Sequence, residues 1–220
     1  MIILIKKLFS KINYFLFNKI SSKNFKINLE IDINKIQYFL KLKNTLDKSN
    51  LIWNGDWDIK KLHISLYRNY SINYNSLFQI YEENKNYKDC DEYKFKENLI
   101  KNGKKSERAK TIAELQNYFI SLDNLKESLN KFGYLSQKEL NSSNHYDEIG
   151  VVIGRNGEII KLEDKFGGTH RFALCKIFKL KKIVVNVKAI HSSLLTKNNI
   201  LKILNTNDKS YLTEIIKSKI

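Results

Sequence analysis

With 220 residues, 42% of them hydrophobic, the chain can bury a core of its own, either as one domain with appendages or as two small domains, and it needs no covalent staples. Its two cysteines, Cys90 and Cys175, lie far apart without a CxxC partner, which supports neither a disulfide framework nor a zinc site and fits a reducing cytoplasm. The formal charge of +16 would ordinarily point to nucleic acid or an anionic membrane. Here the lysines are scattered, and the absence of proline beside abundant Lys, Asn, Ile, Tyr and Phe reads as drift toward AT-rich coding, so nucleic acid is held as an alternative partner.

Residues 1–26 hold the apolar run Ile2 to Ile5, then Lys6 and Lys7, then apolar residues broken by Lys11, Asn13 and Lys19. The run is too short for a signal peptide or a membrane span. As a helix it would line up Leu4, Leu8, Ile12 and Phe15, giving a docking helix or, alternatively, a peripheral membrane anchor. Residues 27–33 alternate apolar and polar, the period of a half-buried strand, and 35–46 read as a short helix. Both tryptophans then flank Gly55 and two carboxylates in Trp53-Asn54-Gly55-Asp56-Trp57-Asp58. From 60 to 105 the chain is polar, aromatic and weakly periodic, with the acidic cluster Asp89, Asp91 and Glu92, and is expected to be an insertion of short helices and loops.

Residues 106–132 are strongly helical by pattern. Asp123 is placed to cap a second helix and Gly133 to end it, so two helices are expected. After a linker at 141–147, residues 149–153 and 158–162 flank Asn156-Gly157, a hairpin signal. The second hairpin strand runs into Phe166-Gly167-Gly168-Thr169-His170-Arg171, and five of the eight glycines fall between 150 and 168. A double glycine leading into a helix leaves the first N–H groups of that helix aimed outward beside the Arg171 cation, which makes an anion site. Residues 183–190 form a further strand and 199–220 one or two closing helices.

The segment Asn124 to Leu129, then Gly133, the hairpin, Gly168 to Ala173 and the strand at 183–187 together resemble the core of the ParB/sulfiredoxin-like superfamily, and Phe166 to Arg171 is similar to the sulfiredoxin signature Phe-Gly-Gly-Cys-His-Arg. The resemblance covers about half of the chain. It implies an α/β (α+β) fold: a small mixed sheet wrapped by helices, occupying 27–195 with an insertion at about 42–113, an N-terminal extension at 1–26 and a helical segment at 196–220. Thr169 stands where sulfiredoxins carry their reactive cysteine, so sulfinic-acid reduction is not expected. Fewer than 30 residues follow His191, which leaves no room for the DNA-reading module of partitioning proteins.

A third branch, nucleotide-dependent kinases of small molecules, needs neither feature. The expectation is therefore a cytoplasmic protein that binds ATP or another nucleoside phosphate through Gly167, Gly168, Thr169, His170 and Arg171. It would act as a phosphotransferase on a small-molecule acceptor or as a nucleotide hydrolase. Asp164, Glu148 and His191 are the candidate catalytic groups, with Asp164 also the candidate Mg²⁺ ligand. The alternative is a non-catalytic ParB-like module that binds nucleic acid.

Overall fold

In the computed structural model, the described residues are 17, 19–20, 25–41, 51–106, 108–163, 167–206 and 208–220. They build a mixed sheet of seven strands: β1 (Ile27–Asp32), β2 (Ile36–Lys41), β3 (Ile52–Trp53), β4 (Leu62–His63), β5 (Ile149–Ile153), β6 (Ile159–Glu163) and β7 (Lys182–His191). The spatial order is β1-β7-β5-β6-β2-β4, and β3 pairs with the far end of β7. β5 is parallel to β7 and β6 to β2, whereas the β1–β7, β5–β6 and β2–β4 pairs are antiparallel. The α-helices with bounds among the described residues are α1 (Tyr67–Tyr70), α2 (Ile72–Tyr81), α3 (Asp91–Lys101), α4 (Ile112–Phe132), α5 (Thr169–Ile177), α6 (Lys197–Thr206) and α7 (Lys209–Lys217). The expected α/β class with a mixed sheet is what the chain forms. Of the amino-terminal extension, Leu4, Leu8, Ile12 and Phe15 lie outside the described residues; Phe17 and Ile20 are buried in the main core.

The period-2 pattern of β1 buries Ile27, Leu29 and Ile31 and exposes Glu30 and Asp32. Residues 36–41 are a strand where a helix was expected. A bulge explains the misleading pattern: Ile36 pairs with Ile159 and Tyr38 with Ile160, so two residues of β2 match one step of β6. Ile36 and Phe39 therefore share the main core, and Leu40 turns to the other face with Tyr38. A buried set at 36, 39 and 40 imitates helical spacing although the backbone is extended.

One face of the sheet carries the main core together with the helices, and the other carries a small apolar cluster closed by Trp53 and Trp57. The hairpin forms as expected, with Val151 opposite Lys161 and Ile153 opposite Ile159. Its turn is longer than a two-residue Asn-Gly turn. Gly157 N–H donates to the Gly154 carbonyl at 3.0 Å, and within the turn only Gly157 takes a positive φ, 83°. The region 112–132 is one continuous helix rather than two. Thr111 caps it by accepting from the Glu114 N–H, Gly133 at φ 71° ends it, and Asp123 accepts from the Tyr81 hydroxyl at 2.7 Å instead of starting a second helix. The insertion supplies β3, β4 and α1 to α3, and α2 and α3 pack over α5 and α4.

Candidate functional site

Because β5 and β6 are antiparallel with Val151 against Lys161, the end of β6 lies beside the start of β5. The Gly167 carbonyl accepts from the Gly150 N–H at 3.2 Å, which pins the glycine loop to that end of the sheet. Gly168 is the N-cap of α5, at φ 62° and ψ 39°. A Cβ at this position would lie 3.1 Å from the Ile149 Cα, so the residue is glycine for both conformation and close approach. Thr169 is consequently the first helical residue and not the cap; its hydroxyl donates to Glu163 at 3.2 Å. Among the described residues no side chain caps α5, which leaves its leading N–H groups without a side-chain acceptor from that set.

Beside this helix start lies a cleft of about 470 Å³, within the range typical of small-molecule sites. Gly168, Thr169, His170 and Arg171 line it from the loop, and Lys96, Lys105 and Arg108 line it from the insertion. Arg108 holds φ 68°, unusual for a residue with a side chain. Among the described residues, no hydrogen bond or ion pair engages the side chain of Lys105 or Arg108. Two carboxylates also line the cleft, Glu92 and Asp147.

Glu92 is fully buried at the start of α3, where a carboxylate also suits the helix dipole. It accepts from Tyr118 Oη at 2.8 Å, pairs with Lys96 Nζ at 3.0 Å and lies 3.1 Å from His170 Nε2. His170 Nε2 also stands 2.6 Å from Tyr118 Oη, and the tautomer with a proton on Nε2 donates to the carboxylate, which only accepts. Burial would push the Glu92 carboxyl up; the hydrogen bond and charge of His170, together with Lys96, outweigh it and hold the group down at about 2. Burial and the Glu92 charge push the Tyr118 phenol well up. Glu92 was visible in the sequence only as part of an acidic cluster. The signal that could have marked it is a charged residue beside Tyr93 and Phe95 in the first turn of an amphipathic helix.

The other sequence-selected residues are dispersed. Arg171 reaches the cleft, yet Nη1 donates to the Asp147 carbonyl at 2.9 Å and pairs with Glu148 at 3.3 Å. With its amide oriented to satisfy its neighbours, Gln137 Oε1 accepts from Arg171 Nη2 at 2.6 Å. Glu148 lies fully buried behind Arg171, accepting also from Tyr134 Oη at 2.5 Å and Gln137 N–H at 2.6 Å, and does not line the cleft. Asp164 lies outside the described residues. Glu163, just before it, accepts from Tyr67 Oη, and Lys161 Nζ stands 3.9 Å away.

His191 ends β7 beside the hairpin tip, at the opposite end of the sheet, since Ile149 pairs with Val185 and Ile153 with Ile190. That separation is roughly 15 Å of strand. There Nε2 donates to the Gly55 carbonyl at 2.9 Å and Nδ1 accepts from the Ser193 N–H at 3.1 Å. Arg155 spans Asp58 and Asp56, each at 2.7 Å. Burial would raise the Asp58 carboxyl, and Arg155 holds it down at about 2. The Trp53–Asp58 segment is thus a clamp on the hairpin turn. Cys90 and Cys175 are free and buried, and burial pushes the Cys175 thiol up to about 12, so it is an unreactive packing group.

Among the described residues there is no cluster of three or more His, Cys, Asp or Glu able to hold a metal, and no helix is long and apolar enough to cross a membrane. No protein-family model matches the chain, and neither a curated protein nor a solved structure matches it.

Proposed function

We propose that the cleft binds a nucleoside phosphate and serves phosphoryl transfer to a small-molecule acceptor or nucleotide hydrolysis, as the resemblance to the kinase branch of the ParB/sulfiredoxin-like superfamily implies. The observation that carries the reading is the meeting, in one concave site, of the start of α5 with the cations Lys105 and Arg108, neither the helix start nor the cations having a side-chain partner among the described residues. Backbone N–H groups and the helix dipole favour an anion, and cations beside them add charge compensation for phosphate oxygens. Phosphoryl transfer asks a protein mainly for positioning and charge compensation, and this wall offers both.

Within the cleft the groups divide by availability. Glu92 is saturated by three donors and positions His170, whereas the exposed Asp147 carboxylate has no side-chain partner among the described residues. Mg²⁺ takes one or two carboxylates with the remaining positions filled by phosphate and water, so Asp147 fits as its protein ligand, and the bound ion would neutralise charge on the phosphates. Glu148 and His191, engaged elsewhere, are given no catalytic part.

The test is a thermal-shift and calorimetry panel of ATP, ADP, CTP and GTP with and without Mg²⁺, with a single-stranded oligonucleotide as comparison. A ligand held by the native state alone raises stability by RT ln(1 + [L]/Kd), about 2.7 kcal/mol at one hundred times Kd. Arg108→Ala is expected to weaken nucleotide binding by about 1.5 to 3 kcal/mol, the range for a hydrogen bond to a charged group. Binding of the oligonucleotide but of no mononucleotide would move the nucleic-acid alternative ahead.

A further inference from the structure

The cleft has an apolar lip as well as a charged wall. α2 and α3 pack so that Asp91 N–H donates to Gln79 Oε1 at 3.0 Å and Glu92 N–H to Ser76 Oγ at 2.7 Å. Ile72 lies one turn before Ser76 on α2 and Phe95 one turn after Asp91 on α3, with Leu99 a turn beyond Phe95, and all three line the cleft. Phe95 is 54% exposed and Ile72 42%, the exposure of large apolar side chains that no described part of the chain covers. Lys96, next to Phe95 in sequence, turns inward to Glu92 and so takes its charge away from the lip.

A flat aromatic surface beside an anion site matches one ligand chemistry: a planar apolar group joined to phosphates. Base–aromatic stacking is tolerant of base identity because every base presents a π-face. Resting on the nucleoside-phosphate reading of the cleft, we propose that Phe95, backed by Ile72 and Leu99, is the platform on which the nucleobase stacks while the phosphates lie against Lys105, Arg108 and the start of α5. The insertion, rather than the sheet, then selects nucleotides over bare polyphosphates.

The experiment is calorimetry on the full chain with ATP, GTP, CTP, UTP and inorganic tripolyphosphate, comparing wild type, Phe95→Ala and Phe95→Trp. The tightest nucleotide should bind wild type more strongly than tripolyphosphate. Phe95→Ala should weaken that nucleotide by about 5- to 100-fold and leave tripolyphosphate unchanged, and Phe95→Trp should retain binding. Circular dichroism checks that the variants fold, which an exposed position favours. If tripolyphosphate binds as tightly as every nucleotide, or if Phe95→Ala binds them all as wild type does, the platform is overturned while the phosphate site stands. Equal loss of nucleotide and tripolyphosphate in Phe95→Ala also overturns it. Binding of neither by wild type overturns the phosphate site itself.

Discussion

Arg171 illustrates how one side chain can belong to a cleft and to the core together. Its guanidinium is the cationic partner of the fully buried Glu148, so Arg171→Ala leaves a carboxylate in the interior without its counter-charge. Breaking one side of a buried pair costs about 3 to 5 kcal/mol; Tyr134 and Gln137 still donate to Glu148, so roughly 2 to 3 kcal/mol is expected. Urea denaturation measures it, and adding Glu148→Gln should recover part of the loss. A change below about 0.5 kcal/mol, the scatter of ordinary surface substitutions, would show that the pair is not holding the fold. Gly168→Ala is expected to cost about 1 to 3 kcal/mol, because it forces a side chain into the left-handed region and against the Ile149 backbone. Gly55→Ala, at φ 85° with open space around it, should suffer the conformational cost alone.

Among the elements, α7 depends on a contact with the hairpin. A side chain at Gly157 would collide with the Lys219 carbonyl oxygen, and Lys35 Nζ reaches the Ile220 carbonyl at 3.4 Å. Gly157→Ala should therefore loosen the carboxyl-terminal end, of which Leu212 and Ile216 belong to the core, and amide hydrogen exchange should rise in α7 well before it rises in β5. Unchanged protection in α7 would argue against this docking. α4 depends instead on its own cap: Thr111→Ala removes the acceptor for the Glu114 N–H and should cost about 1 kcal/mol, seen as a shift in denaturation midpoint without a change in slope.

For the molecule as a whole, acid is the expected weak point. Glu92 is held at about 2 against an ordinary 4.5, and Asp58 at about 2 against 3.8, so each favours the folded state while ionised. Both pKa values are lowered by folding, so the stabilisation is complete above about pH 4.5 and disappears as pH falls toward 2. Thermal melts between pH 7 and 2 should show a steep loss of stability below about 4.5 that Glu92→Gln makes shallower. The hairpin, β1, the glycine turn and the start of α5 were all legible in the sequence, because each is set by chemistry within a few residues: alternating burial or a glycine at positive φ. β2 was not, since a bulge changes which face its side chains reach, and a bulge is decided by the neighbouring strand. The break expected within 106–132 is absent from the helix Ile112–Phe132, inside which Asp123 accepts from Tyr81 of another helix. The sequence by itself determined the fold class and the glycine turn that opens α5. Only the tertiary structure decided that Glu148 backs Arg171, that His191 belongs to the opposite end of the sheet and that Glu92, 78 residues before His170, sits against it, because such pairings depend on sheet order and helix packing and leave no local trace.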